Sequence, residues 1–273
     1  MQRGAAVIIP PQDCTITDYH AAAPAWFSKT TLRLFSELGA PWFRLWLDGK
    51  VAKPHPKGAD QGLALDALLT DGRNALNNRF AFAPDNLDRR TKAGKEWADA
   101  QAGKTILTAE DALIIEDAAA AVRSCSAWSA IEKSLAQHTI RRHSPALGFG
   151  LQSRPDWYLP AQETLFDLKK TRDLTRFGSQ AIDLGYHLQA AVARWCLGND
   201  NIRAFLVAVE WERGARCRVY EIPADVLAYA DAEMRTIALE ISRRMASNDW
   251  TDHQAEAEPL PVPGWMKARM EAA

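Results

Sequence analysis

The sequence has no C-x-x-C pair; its cysteines, Cys14, Cys125, Cys196 and Cys217, are scattered along the chain. That spacing argues against a structural zinc site, a disulfide framework and an iron–sulfur cluster, and reduced, mostly buried thiols are expected instead. No hydrophobic run approaches the roughly 18 apolar residues of a membrane span. The apolar stretch in the opening MQRGAAVIIPPQDC is too short for a secretory core, so a cytoplasmic protein without a membrane partner is expected. An excess of one charge is also lacking: 33 Lys and Arg face 34 Asp and Glu, a formal net charge of -1. No global positive field advertises a nucleic-acid partner, and any such contact must come from local clusters. Internal repeats and low-complexity linkers are absent as well.

What is there is a chain of 273 residues with 47% hydrophobic content, enough for one large domain with elaborations. Between Ser28 and Leu47 the apolar positions fall at helical spacing but are broken at Gly39 and Pro41, which predicts two short helices. Residues 60–69 predict another, and Ala109 to Leu135 a long one, opened by Thr108 with Asp111 three positions on. Residues 70–107 are polar and punctuated by Gly, Pro and Asn, and read as a long loop. After residue 147 strand-like alternation sets in. ALGFGLQSRPDWYL and ETLFDLKKT read as strands, a helix runs from Ser179 to Trp195, and AFLVAVEWE with CRVYEIP forms a hairpin turned at Arg213-Gly214-Ala215. A last helix covers Ala224 to about Ser247. The order predicts an α/β core with a mixed sheet flanked by helices.

The stretch RPDWYLPAQETLFDLKK, residues 154 to 170, carries the chemistry. Asp156 at the edge of one strand and Asp167 on the next can face each other across a hairpin. Two carboxylates held together repel unless a cation sits between them, and Mg2+ or Mn2+ is the hard-ligand ion that suits them. Lys169, two positions beyond Asp167, points to the same face of a strand, where it could orient a metal-bound water or stabilise charge on a phosphate. The alternative is a solvated sheet edge.

Arg154-Pro155-Asp156 followed by Asp167-Leu168-Lys169 resembles the PD-(D/E)XK nuclease motif, and the chain resembles its exonuclease VIII (RecE-type) branch, found in phages, prophages and bacterial recombination systems. Further stretches carry the likeness in the family's order. ITDYHAAAPAWFSKTTLRLF is similar to the family's N-terminal Tyr-His and Ser-x-x-x-Leu segment, and GLALDALL to its Gly-x-x-x-His helix. RRTKAGKEWADAQAGKTILTAED is similar to its basic Gly-Lys stretch, and YHLQAAVARW to its Tyr-His-x-Gln-Ala-Ala helix. The resemblance spans roughly residues 12 to 250.

It implies a restriction-endonuclease-like core over residues 138–250, a helical N-terminal elaboration over 12–137 with the basic loop 70–107, and a tail over 251–273, all in a single nuclease domain. It implies Asp156 and Asp167 as metal ligands, Lys169 as the catalytic lysine, and Gln189 near the site to position substrate or water. Tyr186 is left between a DNA-backbone contact and packing. There are departures. Asp66 stands where the family has a metal-ligating His and is either a harder replacement ligand or a solvated helix residue. Ala193 replaces a Tyr, and where the family has a Glu before the first catalytic strand this chain has Gln137 and His138.

Basic residues flank the motif: Arg89, Arg90, Lys92 and Lys95 in the predicted loop, Arg141, Arg142 and His143 before the first catalytic strand, Arg154 within it, and Lys170, Arg172 and Arg176 after the second. Their placement suits a phosphate track, with no signal for base readout. The resemblance implies a Mg2+-dependent exodeoxyribonuclease (Mn2+ as the alternative metal) degrading double-stranded DNA from its ends, 5′ to 3′, as a toroidal homo-oligomer working with a single-strand annealing protein. An endonuclease or single-strand-specific nuclease of the same fold, and a catalytically silent DNA-binding module, are the alternatives.

Overall fold

The computed structural model describes residues 4–54, 59–88, 90–211, 214–252 and 259–272. Its five-stranded sheet runs in the order β11 (Arg216–Glu221), β10 (Arg203–Glu210), β9 (Thr164–Thr171), β8 (Trp157–Leu159), β5 (Leu135–Ala136). β9 and β10 are parallel and the other neighbours antiparallel, so the predicted mixed sheet is present. A parallel step needs a crossover, and α8 (Phe177–Asp183) and α9 (Tyr186–Leu197) supply it. They form two helices where the apolar stripe predicts one, because Gly185 adopts φ 64 between them, a left-handed conformation that costs glycine least.

One face of this sheet packs on α3 (Ala59–Thr70) and α6 (Ala109–Arg123): Leu65, Leu68, Ile115 and Val122 meet Trp157, Phe166, Val207 and Val209. The other face packs on α8 and α9, where Phe177, Ala181, Ala190 and Ala193 meet Leu165, Leu206 and Ala208. This is the layered arrangement in which a sheet hides both faces under helices. A four-stranded sheet stands beside it in the order β1 (Ala6–Ile9), β6 (Thr139–Ser144), β7 (Phe149–Ser153), β2 (Trp26–Phe27). It packs with α2 (Lys29–Leu47), α9 and α10 (Ala224–Ser247) around Phe27, Phe43, Phe149, Trp195 and Met234. α1 (Ile16–Ala21) lies between β1 and β2 in the chain, and α11 (Gly264–Glu271) lies near the C-terminus.

Several expectations are met. α2 breaks at Gly39, φ 78, followed by Pro41 inside the helix. Thr108 and Asp111 form a reciprocal capping box at the start of α6. β10 and β11 form the antiparallel hairpin; Arg213 of its expected turn lies outside the described residues.

Two expectations are corrected. Residues 70–107 are not a long loop: they hold α4 (Gly72–Arg79), β3 (Phe80–Ala83), α5 (Lys92–Ala100) and β4 (Thr105–Thr108), with β3 and β4 paired in parallel. The long helix ends at Arg123, after which Ser124 caps it, the short α7 (Trp128–Ile131) intervenes and β5 begins. Among the described residues no helix is long and apolar enough to cross a membrane.

Candidate functional site

The register of β8 against β9 decides the site. Trp157 pairs with Phe166, so Asp156, one residue before β8, comes opposite Asp167. Asp156 ends its approach as a well-bonded carboxylate: Oδ2 accepts from the Leu168 backbone N–H at 2.6 Å and Oδ1 from Gln137 Nε2 at 2.9 Å. The same Gln137 Nε2 donates to Asp66 Oδ1 at 3.0 Å, which brings the α3 carboxylate to the group.

Asp167 and Lys169 share the β9 face that looks toward α9. The Lys169 ammonium pairs with Asp167 Oδ2, and both side chains are only 13–15% exposed. Gln189, on α9, clamps the pair: its Nε2 donates to Asp167 Oδ1 at 2.5 Å, and its Oε1 accepts from Lys169 Nζ at 3.2 Å. Tyr186, one turn earlier on α9, lays its ring 4.5 Å from the Lys169 ammonium. Asp66, Asp156, Asp167, Lys169, Gln189 and Tyr186 are thus brought together from three separate elements and a strand edge.

The electrostatics are those of crowded carboxylates. Burial, then the charges of Asp167 and Asp66, push Asp156 well above the usual carboxylate range. Burial, then Asp71, with Asp167 adding to it, raises Asp66 to about 6, against the lowering effect of the Gln137 amide and Arg79. Burial by itself would lower the Lys169 ammonium, but Asp167 and Asp156 outweigh it and hold the group above the ordinary lysine range.

Three hard oxygen donors that repel one another match a divalent cation such as Mg2+ in donor chemistry. Asp167 Oδ2 is moreover buried, with the Lys169 ammonium as its partner. Among the described residues, no three ligands stand already spaced around a metal position. The Gln137 amide lies between Asp66 and Asp156, and the Lys169 ammonium against Asp167.

The expected basic contacts sort unevenly. Arg154 faces inward: its Nε donates to Gln137 Oε1 at 3.2 Å and Nη1 to the Cys14 carbonyl at 2.7 Å. Lys170 alternates to the α3 side of β9, donating to Gln61 Oε1 at 2.6 Å with its ammonium 4.1 Å from the Trp211 ring. These two bind protein groups in this arrangement. Arg141 and Arg142 are likewise engaged, with Gln152 and the Leu197 carbonyl. Arg90, Lys92 and Lys95 face solvent at the start of α5, with Arg90 on Asp88 at 3.0 Å and Lys92 3.8 Å from Glu96. Arg89 lies outside the described residues. Arg172 and Arg176 are exposed and line a surface concavity of about 440 Å³ with Thr171, Ser179 and Gln180, just past the end of β9.

Two residues beside the site were not singled out for it from sequence. Lys29, at the start of α2, donates to the Leu184 carbonyl at 2.7 Å and sits 5.7 Å from the Tyr186 ring. Burial, with the like charges of Lys169 and Arg33, lowers its ammonium to about 7. Gln137, which the sequence places where the family has a Glu, is the side chain that joins Asp66 to Asp156, a bridge between residues far apart in the chain that no spacing signals.

No protein-family profile matches the chain, and no curated protein matches it. Among solved structures, the chain is similar to a protein from Eubacterium rectale provisionally named an exonuclease, with 13% identity and a TM-score of 0.59, covering 93% of this chain and 97% of that one. The likeness is one of fold, a mixed α/β arrangement with sheets flanked by helices. A phage-related exonuclease from Haemophilus somnus 129PT also matches, at 12% identity over 82% of this chain and 96% of that one, with a TM-score of 0.32. Within this fold, the carboxylates occupy the junction of β8 and β9, and α9 closes over them with Gln189 and Tyr186.

Proposed function

We propose that this protein is a metal-dependent deoxyribonuclease, an exonuclease that hydrolyses phosphodiester bonds at the ends of linear double-stranded DNA. The observation that carries the reading is the convergence of Asp156, Asp167 and Lys169 at the junction of β8 with the central strand β9, with Asp66 from α3 and Gln189 from α9 completing the group. The exonuclease name of the Eubacterium rectale protein, which shares the fold, supports it. Asp156 and Asp167, with Asp66, would hold Mg2+ or Mn2+, which when bound polarises the phosphate and acidifies a water. Lys169 orients that water and offsets negative charge at the phosphate, and Gln189 keeps Lys169 and Asp167 in register. Arg172 and Arg176, exposed beside the strand end, suit contacts to the DNA backbone, with Arg90, Lys92 and Lys95 as a second basic surface.

Digestion from the 5′ end, a toroidal homo-oligomer, and hand-over of the remaining strand to an annealing protein in recombination belong to the same reading. The test is cleavage of end-labelled linear duplex with Mg2+, Mn2+ or chelator, alongside a circular duplex of the same sequence. Metal-dependent release from the ends of the linear substrate, lost in Asp167→Ala, is expected. Equal cutting of the circle would make the protein an endonuclease; duplex binding without cleavage under either metal would make it a DNA-binding module.

A further inference from the structure

We propose that Gln137 is a positioning residue that holds Asp66 and Asp156 together in the absence of a cation and releases at least one of them when a divalent cation binds. The inference rests on the metal-site reading above and adds to it the device that keeps the carboxylates assembled.

One amide nitrogen serves two carboxylates: Nε2 of Gln137 lies 3.0 Å from Asp66 Oδ1 and 2.9 Å from Asp156 Oδ1. An amide has two N–H donors on that nitrogen, so both bonds can form at once. The orientation of the amide is set at its other end. Arg154 Nε donates to Gln137 Oε1 at 3.2 Å, and Arg154 is itself anchored on the Cys14 carbonyl at 2.7 Å and on Thr139 Oγ1 at 3.2 Å. Turning the amide over would aim its NH2 at a guanidinium and its oxygen at two carboxylates, repulsive at both ends.

The main chain is committed as well. Gln137 adopts φ 53, in the left-handed region that a residue with a Cβ seldom enters, and its N–H donates to the Asp156 carbonyl at 2.9 Å. This ties the amide to the strand entry that bears Asp156, while its side chain reaches across to α3 for Asp66.

A divalent cation held by Asp66 and Asp156 would draw on the same Oδ1 atoms that accept from Gln137, so at least one of these hydrogen bonds would give way on binding. Gln137 spares the carboxylates their mutual repulsion, and it competes with the metal for them.

The test compares the wild type with Gln137→Met, which keeps length and loses both donors, and with Gln137→Asn, which keeps the amide but is too short to bridge. Mn2+ binding is followed by titration calorimetry, and thermal unfolding is followed in EDTA and in Mn2+. For Gln137→Met the expected results are a lower midpoint in EDTA, a larger upward shift on adding Mn2+, and a Kd about tenfold tighter, the scale of one lost hydrogen bond to a charged group. Gln137→Asn should change all three in the same direction by less, and it carries the test if the methionine variant does not fold. Equal loss of midpoint in EDTA and in Mn2+ with an unchanged Kd, or a weaker Kd, would overturn the proposal while leaving the metal site standing. Absence of Mn2+ binding to the wild type, indistinguishable from Asp167→Ala, would sink the metal-site reading and this proposal with it.

Discussion

The Lys169 ammonium rests 4.5 Å from the centre of the Tyr186 ring while it is ion-paired with Asp167. A desolvated cation over an aromatic face gains about 2 kcal/mol, so the ring, more than the hydroxyl, is the part that counts. Tyr186→Phe should unfold within about 0.5 kcal/mol of the wild type in urea, and Tyr186→Leu should lose about 1–2 kcal/mol.

Gln189 is the single described side chain that bonds both Asp167 and Lys169. Gln189→Leu should cost about 1–3 kcal/mol, because buried charged groups lose their bonded partner. Metal-dependent cleavage should fall by about 10–100-fold, the usual penalty for removing a group that orients a ligand, while DNA binding measured in chelator stays the same.

Lys29 gives a pH dependence with a definite sign. Its ammonium is lowered to about 7 in the folded protein against 10.5 when unfolded, chiefly by burial. Between those values the unfolded chain binds the extra proton, so this residue makes stability rise with pH through that window and subtracts its full cost below about pH 7. Lys29→Met should therefore be more stable than the wild type at pH 6, and the gain should shrink steadily toward pH 10 in denaturant titrations.

The Cys125 thiol is lowered to about 6 by its hydrogen bond with the Cys217 thiol, an effect that outweighs its burial. Thiolate is the reactive form. At pH 7 iodoacetamide should modify the Cys125–Cys217 pair before the buried Cys14 or Cys196, as read by peptide mass spectrometry, and Cys217→Ala should slow modification of Cys125 about tenfold or more.

Trp26 crosses directly over Gly150 where β2 pairs with β7, and a methyl group at Gly150 would overlap its indole ring. Arg141 stacks on that ring, 5.3 Å from its centre. Gly150→Ala should destabilise by about 1–3 kcal/mol, the range for overpacking, and Gly150→Ala combined with Trp26→Ala should cost less than the sum of the two single changes.

Local pattern was legible where the signal was local. The Thr108 and Asp111 capping box, the kink at Gly39, the helix over residues 60–69 and the hairpin of β10 with β11 all follow from neighbours in sequence, and each is present. Residues 70–107 were misread because β3 is only four residues long and finds its partner, β4, across α5; such a pairing leaves no alternating run to detect. The helix beyond Arg123 was overextended because its apolar positions continue into α7 and β5, where they pack against the sheet in other ways.

By itself the sequence determined the chemistry available: Asp156 and Asp167 on strands that can pair, Lys169 two positions on and so on the same face, and Lys170 on the opposite one, since side chains alternate along a strand. The tertiary structure decided which groups share that chemistry. Asp66, Gln137, Tyr186 and Gln189 reach it from α3, β5 and α9, and Arg154 turns inward to Gln137 and Cys14, because the β8–β9 register and the packing of two helical layers on one sheet set distances that no spacing along the chain encodes.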